Sequence, residues 1–139
     1  MDFGIRGKVA VVTACSSGLG KAVAQALAAE GVKLVLFARS GDKLRTIAAE
    51  IEQQYNVPVL VVPGDMRSAA DVDRLVSELK REFTGPDILI LNTGRPPYAM
   101  REVLQETDDA RWQDAYQTQL WAAVLVTRKI VPLILERGW

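Results

Sequence analysis

The feature that most narrows the fold of this chain is the alternation of short apolar runs with stretches of helical spacing. Val9 to Thr13 (VAVVT), Val32 to Ala38 (VKLVLFA), Val57 to Val62 (VPVLVV) and Asp87 to Leu91 (DILIL) are apolar and rich in β-branched residues. They lack the period-two alternation of a half-solvated strand, which predicts strands buried on both faces. Pro58 stands near the start of its run, where a missing N–H is tolerated. Between the runs the pattern turns helical. Gly18 to Glu30 places Leu19, Val23, Ala26 and Leu27 on one face, and Gly31 is a stop signal. Asp42 to Gln54 carries Leu44, Ile47, Ala48 and Ile51 inward, and Asp71 to Phe83 carries Val72, Leu75, Val76 and Leu79. A last long helix runs from Asp108 to Glu136, with Asp108 and Asp109 capping its start and Pro132 predicting a kink.

A βαβαβαβα order demands parallel pairing, because parallel neighbours need a crossover and such crossovers are right-handed. The chain is therefore predicted to be α/β, a doubly wound parallel sheet covered on both faces. No repeat, linker or low-complexity tract divides it, so residues 1–139 read as a single domain. That length suffices for a real core.

Composition excludes several chemistries. Seventeen Lys and Arg balance 17 Asp and Glu, so any anion site must be local, and neither nucleic acid nor an anionic membrane is an expected partner. The chain has no histidine, which removes histidine-based metal sites and Ser–His–Asp or Cys–His catalysis; no metal is expected. Cys15 alone forms no intrachain disulfide and reads as a small space-filler, although a thiolate is favoured near a helix start. The opening MDFGIRGK lacks a signal-peptide core. No apolar run approaches the ~18 residues of a membrane span. A cytoplasmic location is the expectation.

Ligands of doubly wound sheets bind beyond the carboxyl ends of the strands, and the turn after the first strand favours a pyrophosphate. TACSSGLG, Thr13 to Gly20, lies at that turn. Gly18 lets backbone approach a ligand, Gly20 lets the helix close on the sheet, and Ser16 and Ser17 offer hydroxyl donors. The same serines are also ordinary helix caps. At the end of the second strand, FARSGDKL puts Ala38 and Arg39 where an acid would select NAD. Arg39 suits a 2′-phosphate through parallel hydrogen bonds, with Ser40 and Lys43 assisting. NADP(H) is thus preferred over NAD(H); the alternative is a solvated Arg39.

Together these residues resemble the first half of a short-chain dehydrogenase/reductase. The family's Thr-Gly-x-x-x-Gly-x-Gly turn is matched by Thr13, Ala14, Gly18 and Gly20, and encloses Ser16, Ser17 and Leu19. Ala14 replaces the first glycine, which requires a backbone that tolerates a Cβ. The Asn-Asn-Ala-Gly motif is matched by Leu91, Asn92, Thr93 and Gly94. Asp65, in GDM, stands where the family contacts adenine, and Met66 would lie along the ring. LNTGRPP resembles a 3-oxoacyl-(acyl-carrier-protein) reductase-like subgroup. The resemblance implies a Rossmann-type sheet in the order 3-2-1-4, truncated after the fourth strand and its long helix. It also implies NADP(H)-dependent hydride transfer involving a small-molecule carbonyl, and a homo-oligomer built on the long helix. That helix carries Trp112, Tyr116, Leu120, Trp121, Val124, Leu125 and Ile130, at least half of which are expected to pack on the chain's own sheet.

The family's proton-transfer groups are missing from these residues. Tyr55, Tyr98 and Tyr116 are followed four positions later by Val59, Glu102 and Leu120, so no Tyr-x-x-x-Lys exists. The family's serine follows a fifth strand, whereas the chain stops at ERGW, and the helix asparagine aligns with Gln119. An unperturbed Tyr, with a pKa near ~10, protonates poorly at neutral pH. No catalytic residue is assigned. Three readings follow: the cofactor half of an enzyme, inactive alone; a non-catalytic dinucleotide-binding module; or an assembly piece whose open sheet edge pairs with another chain. Arg95, Pro96 and Pro97 are expected to shape a loop at the nicotinamide end, with Arg95 facing solvent.

Overall fold

The computed structural model describes residues 2–95, 98–99 and 101–139. Four strands, β1 (Val9–Thr13), β2 (Lys33–Ala38), β3 (Val59–Pro63) and β4 (Ile88–Ile90), alternate with helices α1 (Gly18–Ala29), α2 (Gly41–Tyr55) and α3 (Ala69–Glu82). The last helical stretch comprises α4 (Asp109–Ala115), a π-helical segment (Tyr116–Trp121) and α5 (Ala122–Arg137). The strands form one parallel sheet in the order β3-β2-β1-β4, a Rossmann-type α/β architecture.

The central strands β1 and β2 are buried on both faces, as their uninterrupted apolar runs require, whereas the edge strands β3 and β4 are mostly half-buried because each has a neighbour on one side only. Ala10 and Val12 of β1 and Leu34 and Leu36 of β2 pack with Ala24, Ala28, Leu44, Ile47 and Ile51 under α1 and α2. The alternate residues Val9, Val11, Val35 and Phe37 pack with Val72, Leu75, Leu79, Val126 and Ile130 under α3 and α5. One strand thus feeds two cores through its period of two.

α1 turns a different stripe inward from the one its periodicity predicts. Gly20, Ala24 and Ala28 are buried, while Leu19 is 73% exposed and Ala26 is exposed too. The reason is distance. A Cβ on Gly20 would lie 2.7 Å from the Ala14 carbonyl oxygen and 2.8 Å from Cys15 Cα. Only the small-residue stripe lets the helix approach this closely, so the larger residues are rotated outward.

β4 is short and is held at both ends. At its start the buried Asp87 carboxylate accepts from the Val9 N–H at 2.9 Å and from Arg137 Nε at 3.1 Å. Asp87 therefore precedes the strand as a clasp. At its end the Thr13 hydroxyl donates to the Asn92 carbonyl at 2.7 Å and accepts the Asn92 N–H at 2.9 Å.

The long helix is irregular at Tyr116–Trp121 and continues through Pro132, where the proline predicted a kink. Its inward seam is Ala122, Val126 and Ile130. Of the seven residues of which at least half are expected to pack on the sheet, Trp112, Tyr116, Leu120 and Trp121 are exposed, Val124 and Leu125 are half-buried and Ile130 is buried, so fewer than half do. Asp108 caps the helix, its carboxylate accepting from the Ala110 N–H at 2.9 Å. Taken through the π segment, Asp109–Arg137 is 29 residues long and apolar enough in composition to cross a membrane, although no single uninterrupted apolar run is.

Candidate functional site

The corner between β1 and α1 is set by two left-handed residues, Ala14 at φ 48° and Gly18 at φ 55°. Ala14 is the costly one. An L-residue in this region crowds its Cβ against a carbonyl, at about 1–2 kcal/mol. The corner is tied to β2 by the Ala14 N–H, which donates to the Phe37 carbonyl at 2.9 Å. Ser17, the N-cap of α1, is fully extended and its side chain makes no capping hydrogen bond; the first turn holds no acidic residue. The leading amides of α1 are therefore left without a side-chain partner, at the positive end of the helix dipole. Around Gly18 a Cβ would meet nothing within 4 Å, so the space in front of the corner is open.

This corner opens into a cleft of about 620 Å³ at the carboxyl ends of the strands. Each strand end contributes: Ala14, Ser16 and Ser17 after β1; Ala38, Arg39, Ser40 and Lys43 after β2; Gly64, Asp65, Met66 and Arg67 after β3; Gly94 and Arg95 after β4. Asp114, Thr118 and Ala122 close it from the long helix. The volume suits a small-molecule ligand.

Of the residues singled out in the sequence, Ala14, Ser16, Ser17, Arg39, Ser40, Asp65, Met66 and Gly94 meet in this cleft. Thr13, Gly18, Leu19, Gly20 and Asn92 do not line it. Thr13 is fully buried and joins β1 to β4, and Gly20 is the close-packing point of α1. Asn92 reaches back to the corner, its Nδ2 donating to the Ala14 carbonyl at 3.4 Å. Met66 is largely buried with Val72 and Val126 and presents only its edge to the cleft. Arg95 is exposed at the rim; Pro96 and Pro97 lie outside the described residues.

Sequence reasoning missed Gly64, Arg67, Asp114, Thr118 and Ala122. Gly64 had a signal, a glycine directly before Asp65: a Cβ there would fall 2.5 Å from Phe37 Cε2. Arg67 and Asp114 had none, being 47 residues apart and joined only in space at 3.3 Å.

Charge in the cleft is unevenly committed. Arg67 holds Asp65 through Nε and Nη2, and this hydrogen bonding keeps the Asp65 carboxyl below its usual range. Arg39 and Lys43 pair with no carboxylate among the described residues. They are cations available to an anion. At the other end Gln119, in the π segment, accepts from the Thr93 hydroxyl at 2.7 Å and donates to the Gly94 carbonyl at 2.5 Å. The Tyr98 hydroxyl donates to the Arg111 carbonyl at 2.7 Å, and partial burial with the nearby Asp114 raises its pKa. The Cys15 thiol is fully buried, donates to the Val12 carbonyl at 3.2 Å, and is pushed up to about 11 by burial.

The short chain dehydrogenase family profile matches residues 8–139. The chain belongs to that family. It is 31% identical over 128 residues to 11-beta-hydroxysteroid dehydrogenase-like 2 of Arabidopsis thaliana, covering 92% of this chain and 41% of that protein. It is 27% identical over 141 residues to a 3-oxoacyl-(acyl-carrier-protein) reductase of Aquifex aeolicus, covering 100% of this chain and 55% of the relative. Among solved structures, L-sorbose reductase from Gluconobacter frateurii, complexed with NADPH and L-sorbose, superposes with a TM-score of 0.89 at 38% identity. That likeness covers 99% of this chain and 51% of the reductase. The chain spans about half the length of the curated relatives it matches.

Proposed function

We propose that residues 1–139 form one dinucleotide-binding domain of an NADP(H)-dependent short-chain oxidoreductase. The observation that carries this reading is the uncapped head of α1 opening, beside the unpaired Arg39 and Lys43, into the cleft. Its donors fit the cofactor. Backbone amides and the Ser16 and Ser17 hydroxyls suit a pyrophosphate, and Arg39, Ser40 and Lys43 suit a 2′-phosphate. Asn92 and Gly94, after β4, border the nicotinamide end, and Asp65 and Met66 the adenine end. When bound, the reduced nicotinamide supplies a hydride to a carbonyl. The residues of this chain bind and orient it, and none of them is assigned the proton transfer. The three tyrosines agree with this. Tyr98 is committed to a backbone carbonyl, Tyr116 is exposed, and Tyr55 packs against the α1–α2 core.

The substrate proposed for the whole enzyme is a small-molecule carbonyl of 3-oxoacyl type, supported by the LNTGRPP wording and by the 3-oxoacyl-(acyl-carrier-protein) reductase relative. A cytoplasmic setting and self-association are part of the same proposal. Self-association draws on the exposed Trp112, Tyr116, Leu120 and Trp121, and light scattering of the purified chain tests it.

Calorimetric titration with NADPH and NADH, alongside a carbonyl-reduction assay, tests the central reading. Binding of NADPH without turnover is expected, and absence of NADPH binding overturns it. Arg39→Asp is expected to weaken NADPH by about a hundredfold, since it replaces a charge-assisted pair by a repulsion, and NADH far less. Equal losses for both would dismiss the 2′-phosphate role.

A further inference from the structure

The long helix is not held to the sheet evenly along its length. From Ala122 onward it is seated in a core, where Ala122, Val126 and Ile130 are buried with Val72, Leu75 and Leu79. Before Ala122 nothing comparable holds it. No residue of α4 or of the π segment is buried, and none of residues 98–99 and 101–121 belongs to either core cluster.

This stretch is nonetheless knit together, around Arg111. The Arg111 guanidinium lies over the Tyr98 ring at 4.2 Å, pairs with Glu106 at 3.0 Å and donates to the Ala99 carbonyl at 3.0 Å. Its carbonyl accepts the Tyr98 hydroxyl at 2.7 Å, and Trp112 Nε1 donates to the Glu106 carbonyl at 3.0 Å. Residues 98–99 and 101–115 thus form one lobe. Among the described residues, a single side-chain pair ties that lobe to the body of the molecule: Arg67 Nη1 donates to Asp114 Oδ1 at 3.3 Å. Arg67 is fixed in turn on the loop after β3, through Asp65. Asp114 and Thr118 line the cleft from the helix, and Asp65 and Arg67 line it from the end of β3, so the ion pair bridges two of its walls.

A lobe with no buried apolar side chain and one ion pair has little to resist local opening. It joins α5 through the π segment, a wide turn of the kind at which helices bend. Gln119 fastens that turn to Thr93 and Gly94, so displacement falls on α4 beyond it.

We infer that residues 98–99 and 101–115 form a lid on the cleft, hinged at the π segment and latched shut by the Arg67–Asp114 ion pair. The latch breaks to admit or release a ligand and re-forms over it. The ligand's identity rests on the dinucleotide reading above, whereas the latch does not. Solvent reaches the pair, so it holds the lid by a small factor and salt weakens it.

Amide hydrogen exchange on the full chain, read for α4 against α5, tests the latch. Asp114→Asn is expected to speed exchange in α4 by about threefold, the size of an exposed ion pair, and to leave α5 unchanged. Arg67→Met is expected to do the same, and the double variant no more than either, because the same pair is broken once. Added salt speeds α4 in wild type but not in the double variant. Thermal melts identify variants that do not fold; the salt response of wild type then carries the test. Exchange in α4 that neither the substitutions nor salt alter overturns the latch, as do additive effects of the two substitutions.

Stopped-flow binding of NADPH tests the gate. A latch that opens for passage in both directions predicts that Asp114→Asn raises association and dissociation rates alike, each by about threefold, with Kd within about twofold of wild type. Loss of a negative charge alone would raise association and slow dissociation, and loss of a ligand contact would raise dissociation alone. Either pattern overturns the gate. Failure of wild type to bind NADPH removes the dinucleotide reading, while the exchange measurement still decides the latch.

Discussion

Helices α1 and α3 start at the same edge of the sheet, each behind a serine, and their third residues decide what each start can do. In α3 the Ser68 hydroxyl accepts the Asp71 N–H at 3.2 Å, and the Asp71 carboxylate takes the Asp65 N–H and pairs with Arg74. Acidic charge sits in the first turn and Lys80 and Arg81 in the last, so the helix is satisfied internally. In α1 the equivalent position is Gly20. No carboxylate stands in the first turn and the Ser17 side chain makes no cap. A helix start that is satisfied stabilises the fold; one left open is free for an anion. The glycine serves a second purpose by admitting the helix to within contact of the corner backbone at Ala14 and Cys15.

Gly20→Asp copies the Ser-x-x-Asp spacing of α3 into α1 and is expected to have the largest effect. Its Cβ would overlap the Ala14 carbonyl, so instead of gaining a cap the fold loses about 3 kcal/mol in urea unfolding. A stability equal to wild type would show that α1 can be capped like α3. Ser17→Asp makes the comparison sharper without the clash. It places a negative charge at the open amides and is expected to cut NADPH affinity by at least about tenfold while changing stability by less than about 1 kcal/mol. Undiminished binding would mean that the phosphates lie elsewhere.

The reverse experiment is on α3. Ser68→Ala removes a cap that only holds the fold together, with an expected loss of about 1 kcal/mol and NADPH affinity unchanged. A parallel loss of binding would show that the two helix starts are coupled. Cys15 supplies the smallest effect. A thiol near open helix amides would ordinarily be acidified; here burial dominates and the pKa rises from 9.0 to about 11. The unfolded thiol ionises first, so the stabilising contribution is complete below pH 9 and is lost as pH rises from 9 towards 11. Native protein at pH 8 is expected to resist maleimide while the unfolded chain reacts. Rapid labelling of the folded chain would show that the thiol, and not a ligand, uses the α1 amides.

The contrast also marks how much was legible beforehand. Ser17 and Ser68 look alike in sequence, and periodicity correctly placed Leu44, Ile47, Ala48 and Ile51 of α2 and Val72, Leu75 and Leu79 of α3 inside. It misplaced the stripe of α1, because hydrophobic spacing favours large residues while the packing distance there admits only small ones. The cleft followed the same division. Its corner and its β2 end were marked by short motifs, whereas Arg67 and Asp114 carried no motif.

What the amino-acid order determined by itself is the α/β class, the parallel pairing and the burial of the central strands β1 and β2 on both faces. Each of these follows from local periodicity and from the crossovers that parallel strands require. Only the tertiary structure decided which small residues α1 turns inward, that Thr13 closes on Asn92 across 79 positions, and that Arg67 bridges Asp65 to the long helix. Periodicity states how much of a residue is buried. The identity of its partner depends on the distance between elements, which the chain acquires only when its layers pack.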